Sequence, residues 1–115
     1  MDISSNTIVL NRGDTGSFSL GYEINDISVP LITGDTVTFT MSKNYGETPT
    51  LQKIATSFTD GEAVFSFTEA DTIDIVIDAK ERQNTYFCQF ELKLHTGEIE
   101  TIKTPHRVII QEVLE

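Results

Sequence analysis

Hydrophobic and polar residues alternate most regularly over residues 84–95, which have the sequence NTYFCQFELKLH. Since successive side chains of a β-strand point to opposite faces, one face of this segment is wholly apolar and the other mostly polar. The pattern predicts a half-buried antiparallel strand near the centre of a sheet. The apolar face consists of Tyr86, Cys88, Phe90, Leu92 and Leu94.

Shorter segments with the same period of two lie on either side of this strand. Turn residues separate them, and Asp60-Gly61 in particular indicates a two-residue hairpin. We therefore expect one domain over residues 1–115, an all-β immunoglobulin-like antiparallel sandwich of about eight strands, with residues 1–6 as a loose N-terminal arm. The other predicted strands cover residues 7–11, 17–23, 36–42, 51–58, 63–67, 99–103 and 107–114. Besides the central strand, the predicted core contains Phe18, Leu20, Val37, Phe39, Phe65 and Phe67.

Residues 68–78 carry two different patterns. Thr68 and Asp71 match the Ser/Thr-x-x-Asp/Glu spacing of a capping box, which would begin one helical turn. Residues 73–78 then alternate between isoleucine and other side chains. The abundance of Ile and Val favours an extended strand there, with a helix as the alternative.

Two segments are apolar and carry few charges, and we interpret both as edge strands. Residues 27–32 contain Pro30, which cannot donate a hydrogen bond to a strand ladder. Residues 107–114 are apolar on both faces, since Ile109 points away from its two apolar neighbours. We expect Ile109 and Val113 to be covered by a folded-over segment or by a neighbouring subunit, which makes a homo-oligomer through this last strand possible.

Charge and cysteine content narrow the range of partners. The chain has 18 acidic against 8 Lys and Arg residues, a net charge of −10. We therefore expect neither nucleic acid nor an anionic membrane as a partner. Because Cys88 is the only cysteine, an intramolecular disulfide is excluded. Its position on the apolar face of the predicted strand indicates a buried, unreactive thiol. The first residues lack the features of a signal peptide, which predicts assembly in the cytoplasm.

Candidate catalytic and metal-binding groups do not form a recognisable pattern. His95 and His106 have no nucleophile at a useful spacing, and we expect both side chains to face solvent. The acidic run Asp71, Asp74 and Asp78 lacks the spacing of a calcium loop. We therefore predict a non-enzymatic protein without catalytic, cofactor-binding or metal-ligating residues.

Two Gly-Asp-Thr triplets occupy residues 13–15 and 34–36. No Gly-Lys-Ser/Thr follows either of them, so neither is a phosphate-binding loop. The first overlaps an Arg-Gly-Asp tripeptide, which is too short to predict a function. Both triplets stand where the pattern predicts a turn before a strand.

Five segments in order resemble a family of phage tail and baseplate domains from prophages of Gram-positive bacteria. They are similar to the immunoglobulin-like N-terminal domain of baseplate upper proteins. The chain departs from the family in having Asn84-Thr85 where a Gly usually precedes the Tyr, and residues 74–83 are an additional segment. The five segments are IVLNRGDTGSFSL (8–20), GDTVTFTMSK (34–43), VFSFTEADT (64–72), the Tyr-led hairpin (86–97) and PHRVIIQEV (105–113).

This resemblance implies a structural component of the virion that contacts other tail or baseplate proteins and has no catalytic residues. In larger members a stalk or receptor-binding region follows this domain, so the chain is expected to be an attachment module. A carbohydrate-binding sandwich is the alternative. Such modules use exposed aromatic side chains, for which Phe87 and Tyr45 are the candidates in this sequence.

Overall fold

The computed structural model describes residues 1–3, 6–44, 46–102 and 105–112. Within these residues the chain forms twelve strands and one short helix. The strands are β1 (Asp2–Ile3), β2 (Thr7–Asn11), β3 (Gly16–Leu20), β4 (Tyr22–Ile24), β5 (Ile27–Val29), β6 (Thr36–Ser42), β7 (Leu51–Ala55), β8 (Phe58–Thr59), β9 (Glu62–Phe67), β10 (Gln83–Lys93), β11 (Ile99–Ile102) and β12 (Arg107–Gln111), and helix α1 is Glu69–Thr72.

Two sheets pack face to face as a sandwich. The larger has the strand order β1-β2-β12-β10-β6-β7, with β11 also paired to β10. The smaller has the order β3-β9-β8, and β4 and β5 form a separate hairpin. This confirms the predicted all-β sandwich, whereas its immunoglobulin-like character stays a prediction. It is not purely antiparallel, because β12 runs parallel to β2.

Strand β10 lies at the centre of the larger sheet, as predicted. It is hydrogen bonded to β6 on one side and to both β11 and β12 on the other. Its buried face carries Tyr86, Cys88, Phe90 and Leu92, so the predicted register is correct. Leu94 follows the end of the strand and is only partly buried.

A cluster of phenylalanines fills the space between the two sheets. Phe39 and Phe90 of the larger sheet have ring centroids 5.3 Å apart. Phe18 of the smaller sheet meets Phe39 edge to face at 6.1 Å. Such tilted and edge-to-face contacts are favourable arrangements for aromatic rings. The predicted core is buried apart from Leu20 and Leu94, which are partly buried at its border.

One prediction for the first third of the chain was wrong. The strand predicted over residues 17–23 is broken at Gly21 into β3 and β4, which belong to different sheets. A glycine within a strand pattern permits such a bend. In the described part of the predicted arm, β1 pairs with β2 and the Met1 side chain lies beside Gly16.

The strand preferred for residues 73–78 is not formed. The capping box is present, and helix α1 follows Thr68 as that pattern indicated. Beyond it, the N–H of Ile75 bonds to the carbonyl of Thr72. The side chain of Asn84 accepts from the N–H of Asp78 and donates to the carbonyl of Val76. The segment is therefore a loop whose backbone is hydrogen bonded to the side chain of Asn84 in β10.

The last strand is not a sheet edge, which corrects a further prediction. β12 lies between β2 and β10 and is paired on both sides. Ile109 is half-buried within the chain, and Val113 lies outside the described residues. The homo-oligomer stays a prediction. The other predicted edge is confirmed, since β5 pairs with β4 and ends just before Pro30.

Candidate functional site

Three chain connections meet at one end of the sandwich. Residues 21–35 link β3 to β6 and include the β4–β5 hairpin, residues 60–61 link β8 to β9, and residues 94–98 link β10 to β11. They meet because β3 and β10 run into this end while β6 and β9 start from it. We call these three connections the loop end. In variable-type immunoglobulin domains, loops at one end of the sandwich form the binding surface.

A buried carboxylate joins two of the three connections. Asp35 is only 3% exposed. Its Oδ2 accepts from the N–H of Ile32 at 2.9 Å, and its Oδ1 lies 2.8 Å from both the backbone nitrogen and Nδ1 of His95. Burial alone would raise the pKa of Asp35, but these hydrogen bonds from Ile32 and His95 lower it below its usual 3.8.

Two further contacts link the loop end. The Tyr22 hydroxyl donates to Oε2 of Glu100 at 2.7 Å, which connects the hairpin to β11. The N–H of Leu31 donates to the carbonyl of Gly61 at 2.9 Å. The hydrogen bond to Glu100, burial, and the nearby charges of Glu100 and Glu98 raise the pKa of Tyr22 to about 12. The carboxylates of Glu98 and Glu100 thus both lie near Tyr22.

An open cleft of about 360 Å³ separates the β4–β5 hairpin from the β8–β9 turn. Three acidic residues line it, namely Glu23, Asp60 and Glu62, together with Tyr22 and the apolar Val29 and Pro30. The hairpin beside it exposes two isoleucines. Ile24 and Ile27 face each other across the strands and are 49% and 69% exposed.

The charge of the loop end has one sign. Its three connections contain five Asp and Glu residues and neither Lys nor Arg, while Glu62 of β9, Glu100 of β11 and Lys93 of β10 flank them. His95, the one histidine in these connections, is hydrogen bonded to Asp35. The loop end therefore combines a negative potential with exposed apolar side chains.

The residues singled out from the sequence do not come together. His95 lies at the loop end, half-exposed and bonded to Asp35, a pairing that sequence reasoning missed. The second Gly-Asp-Thr triplet marks Asp35, which follows a glycine with a φ of +102°, but no sequence pattern marks His95 as its partner. His106 is half-buried beside β10, where its carbonyl accepts from the N–H of Cys88.

Cys88 is buried, as predicted. Burial raises its thiol pKa to about 12. Its Sγ lies 3.4 Å from the carbonyl oxygen of Pro105. Because the reactive form of cysteine is the thiolate, this environment is typical of a structural residue.

Two members of the acidic run, Asp71 and Asp78, have structural partners. Asp71 accepts from the N–H of Thr68 at 2.7 Å and forms an ion pair with Lys53 at 2.9 Å. Oδ1 of Asp78 accepts from the N–H groups of Lys80 and Glu81, which closes a turn. An inward-pointing lysine on β7 also protects that exposed edge from pairing with another chain.

A second hollow, of about 250 Å³, lies on the outer face of the larger sheet. Phe87 is half-buried there and is surrounded by side chains that can form hydrogen bonds, namely those of Thr40, Ser42, Glu47 and Gln89. Tyr45, the other aromatic candidate, lies outside the described residues. An aromatic side chain and polar groups therefore meet in this hollow.

The fold defines an all-β sandwich protein, and no relative identifies the chain more closely. No protein-family model, curated protein or solved structure matches it. In the described ranges, no helix is long and apolar enough to cross a membrane. Nor do three His, Cys, Asp or Glu side chains in those ranges form a group that could hold a metal ion.

Proposed function

We propose that this chain is a non-enzymatic structural component of a phage or prophage tail or baseplate, acting through contacts with other tail or baseplate proteins. The loop end is the observation that carries the proposal. It presents exposed isoleucines on connections that are linked by hydrogen bonds between Asp35 and His95 and between Leu31 and Gly61. A preformed, partly apolar surface of this kind is suited to binding another protein.

The residues on which the sequence resemblance rests give further support. The N–H of Gly13, in the first Gly-Asp-Thr triplet, donates to Oγ1 of Thr72 at 2.7 Å. Thr72 ends the Thr-x-x-Asp-Thr segment and is fully buried. Asp35, in the second triplet, binds the hairpin that ends at Gly97. Residues of the segments that carry the resemblance thus contribute hydrogen bonds between distant parts of the fold.

Analysis of phage particles tests the proposal directly. Cells that carry the gene are induced, and the released particles are purified and analysed by quantitative mass spectrometry. We expect the chain at a fixed ratio to the other tail proteins and loss of tails when its gene is deleted. Particles of normal composition and shape without the chain would contradict the proposal.

The hollow at Phe87 favours a second function, binding of a carbohydrate. A glycan screen with the wild type and with Phe87→Ala tests it. Ile54→Ala is the control, because Ile54 lies on the same outer face and is 62% exposed. A monomer that binds a cell-wall sugar and loses it only with Phe87→Ala would support this function against the tail component.

A further inference from the structure

We infer that the loop end docks a basic segment of another protein, with a Lys or Arg side chain in the cleft beside Tyr22 and apolar side chains on Ile24 and Ile27. The inference rests on the proposed function, because that function supplies a protein partner. It adds the surface used and the chemistry of the partner.

The β4–β5 hairpin carries exposed apolar side chains of the loop end, so we assign the apolar contact with the partner to this hairpin. Its turn residues Asn25 and Asp26 have φ values of 51° and 65°, the left-handed conformations of a tight two-residue hairpin loop. The hairpin belongs to neither main sheet. Ile24 and Ile27 are consequently held away from the core, where a partner could cover both together.

The acidic residues around the cleft favour a partner with a positive charge. The cleft is lined by Glu23, Asp60 and Glu62, and Glu98 and Glu100 of the neighbouring connection and β11 lie near the Tyr22 hydroxyl. The three connections themselves contain neither Lys nor Arg. A cationic side chain would relieve this repulsion, whereas an acidic partner would add to it.

The same charges disfavour a second copy of the chain as the occupant. Contact between two loop ends would bring together two surfaces that each carry four exposed acidic residues, Glu23, Asp26, Asp60 and Glu98. Like charges held close together across an interface destabilise it. The surface is also preformed, since Asp35 and His95, Tyr22 and Glu100, and Leu31 and Gly61 are already bonded. A partner would therefore bind with little ordering of the loops.

Titration with a synthetic peptide tests the docking surface. The probe is a twelve-residue peptide in which lysine alternates with leucine, and its matched control has glutamate in place of lysine. Binding of each is measured by calorimetry and mapped with ¹⁵N-labelled protein by NMR. We expect the lysine peptide alone to bind and to shift the signals of residues 21–29, 60–62 and 98–100. Shifts centred elsewhere would overturn the inference.

Two pairs of variants separate docking from general attraction. Ile27→Ser should weaken binding at least about fivefold, while Ile54→Ser, at a comparably exposed isoleucine outside the loop end, should leave it unchanged. Glu23→Gln with Glu98→Gln should weaken it about tenfold, and Asp74→Asn with Glu81→Gln, which removes the same charge elsewhere, should not. Equal losses within each pair would show non-specific binding and overturn the inference.

The proposed function and this inference can fail separately. If the chain is present in particles but the Ile27→Ser and paired Glu variants assemble normally, the docking surface is wrong and the proposed function stands. If the chain is absent from particles, the proposed function fails whatever the peptide does. Self-association abolished by Ile27→Ser would show that a second copy occupies the surface, which contradicts the basic partner.

Discussion

Asp35 and His95, sixty positions apart in the sequence, are joined by two contacts to a single oxygen atom. Oδ1 of Asp35 lies 2.8 Å from the backbone nitrogen of His95 and 2.8 Å from its Nδ1. The other oxygen accepts from the N–H of Ile32. One buried carboxylate therefore fixes the start of β6 relative to the end of β10, and with it the geometry of the loop end.

We expect Asp35→Asn to destabilise the fold by about 1–3 kcal/mol, measured by urea denaturation. The amide can offer only one acceptor oxygen where the carboxylate offers two, so a partly buried donor is left unpaired. Asp14→Asn is the control, because Asp14 holds the same place in the first triplet but is exposed. Equal effects of the two substitutions would contradict the structural role of Asp35.

Stability should fall on acidification. The folded-state pKa of Asp35 lies below its usual 3.8, and hydrogen bonds and Lys53 likewise lower that of Asp71 despite the opposing effect of burial. A carboxylate whose pKa is lower in the folded state stabilises the fold at pH values above its unfolded-state pKa. That stabilisation is lost as the pH falls through the folded-state pKa.

The free energy of unfolding, measured against pH, should therefore decrease below about pH 4. In Asp35→Asn the decrease should be smaller, and smaller still when Asp71→Asn is added. A wild-type profile that stays level from neutral pH to about pH 2 would contradict both assignments.

Phe90→Ala should cost about 3–5 kcal/mol of stability, because Phe90 is fully buried and its removal leaves a cavity between the two sheets. Thermal or urea unfolding measures the change. Ile54→Ala, on the outer face of β7, should cost less than about 0.5 kcal/mol. Comparable losses at the two positions would mean that the sheets do not pack around Phe90.

Cys88 should resist thiol reagents in the native protein. Burial raises its thiol pKa to about 12, so the thiolate is scarce at neutral pH and is shielded from solvent. Labelling at pH 8 should be at least about 100-fold slower in the folded protein than in the protein denatured with urea. Rapid labelling of the folded chain would reopen a redox or disulfide-linked role for this cysteine.

Local patterns in the sequence were sufficient for the parts of the fold that depend on near neighbours. The alternation over residues 84–95 predicted β10 and its buried face, because side-chain direction in a strand follows from backbone geometry. The Asp60-Gly61 pair predicted the β8–β9 turn, in which both residues have positive φ. The capping box at Thr68 likewise depends on residues within one helical turn.

Tertiary structure alone decided which segments become neighbours. The pairing of β12 with β2 joins the two ends of the chain and makes the expected edge strand an interior one. The isoleucine pattern of residues 73–78 predicted a strand, but its backbone is bound by the side chain of Asn84. Asp35 and His95 carry no pattern that links them. Each of these contacts depends on which distant segments pack together. The alternation of apolar and polar residues predicts the two faces of a strand, but it does not predict which segments become its neighbours.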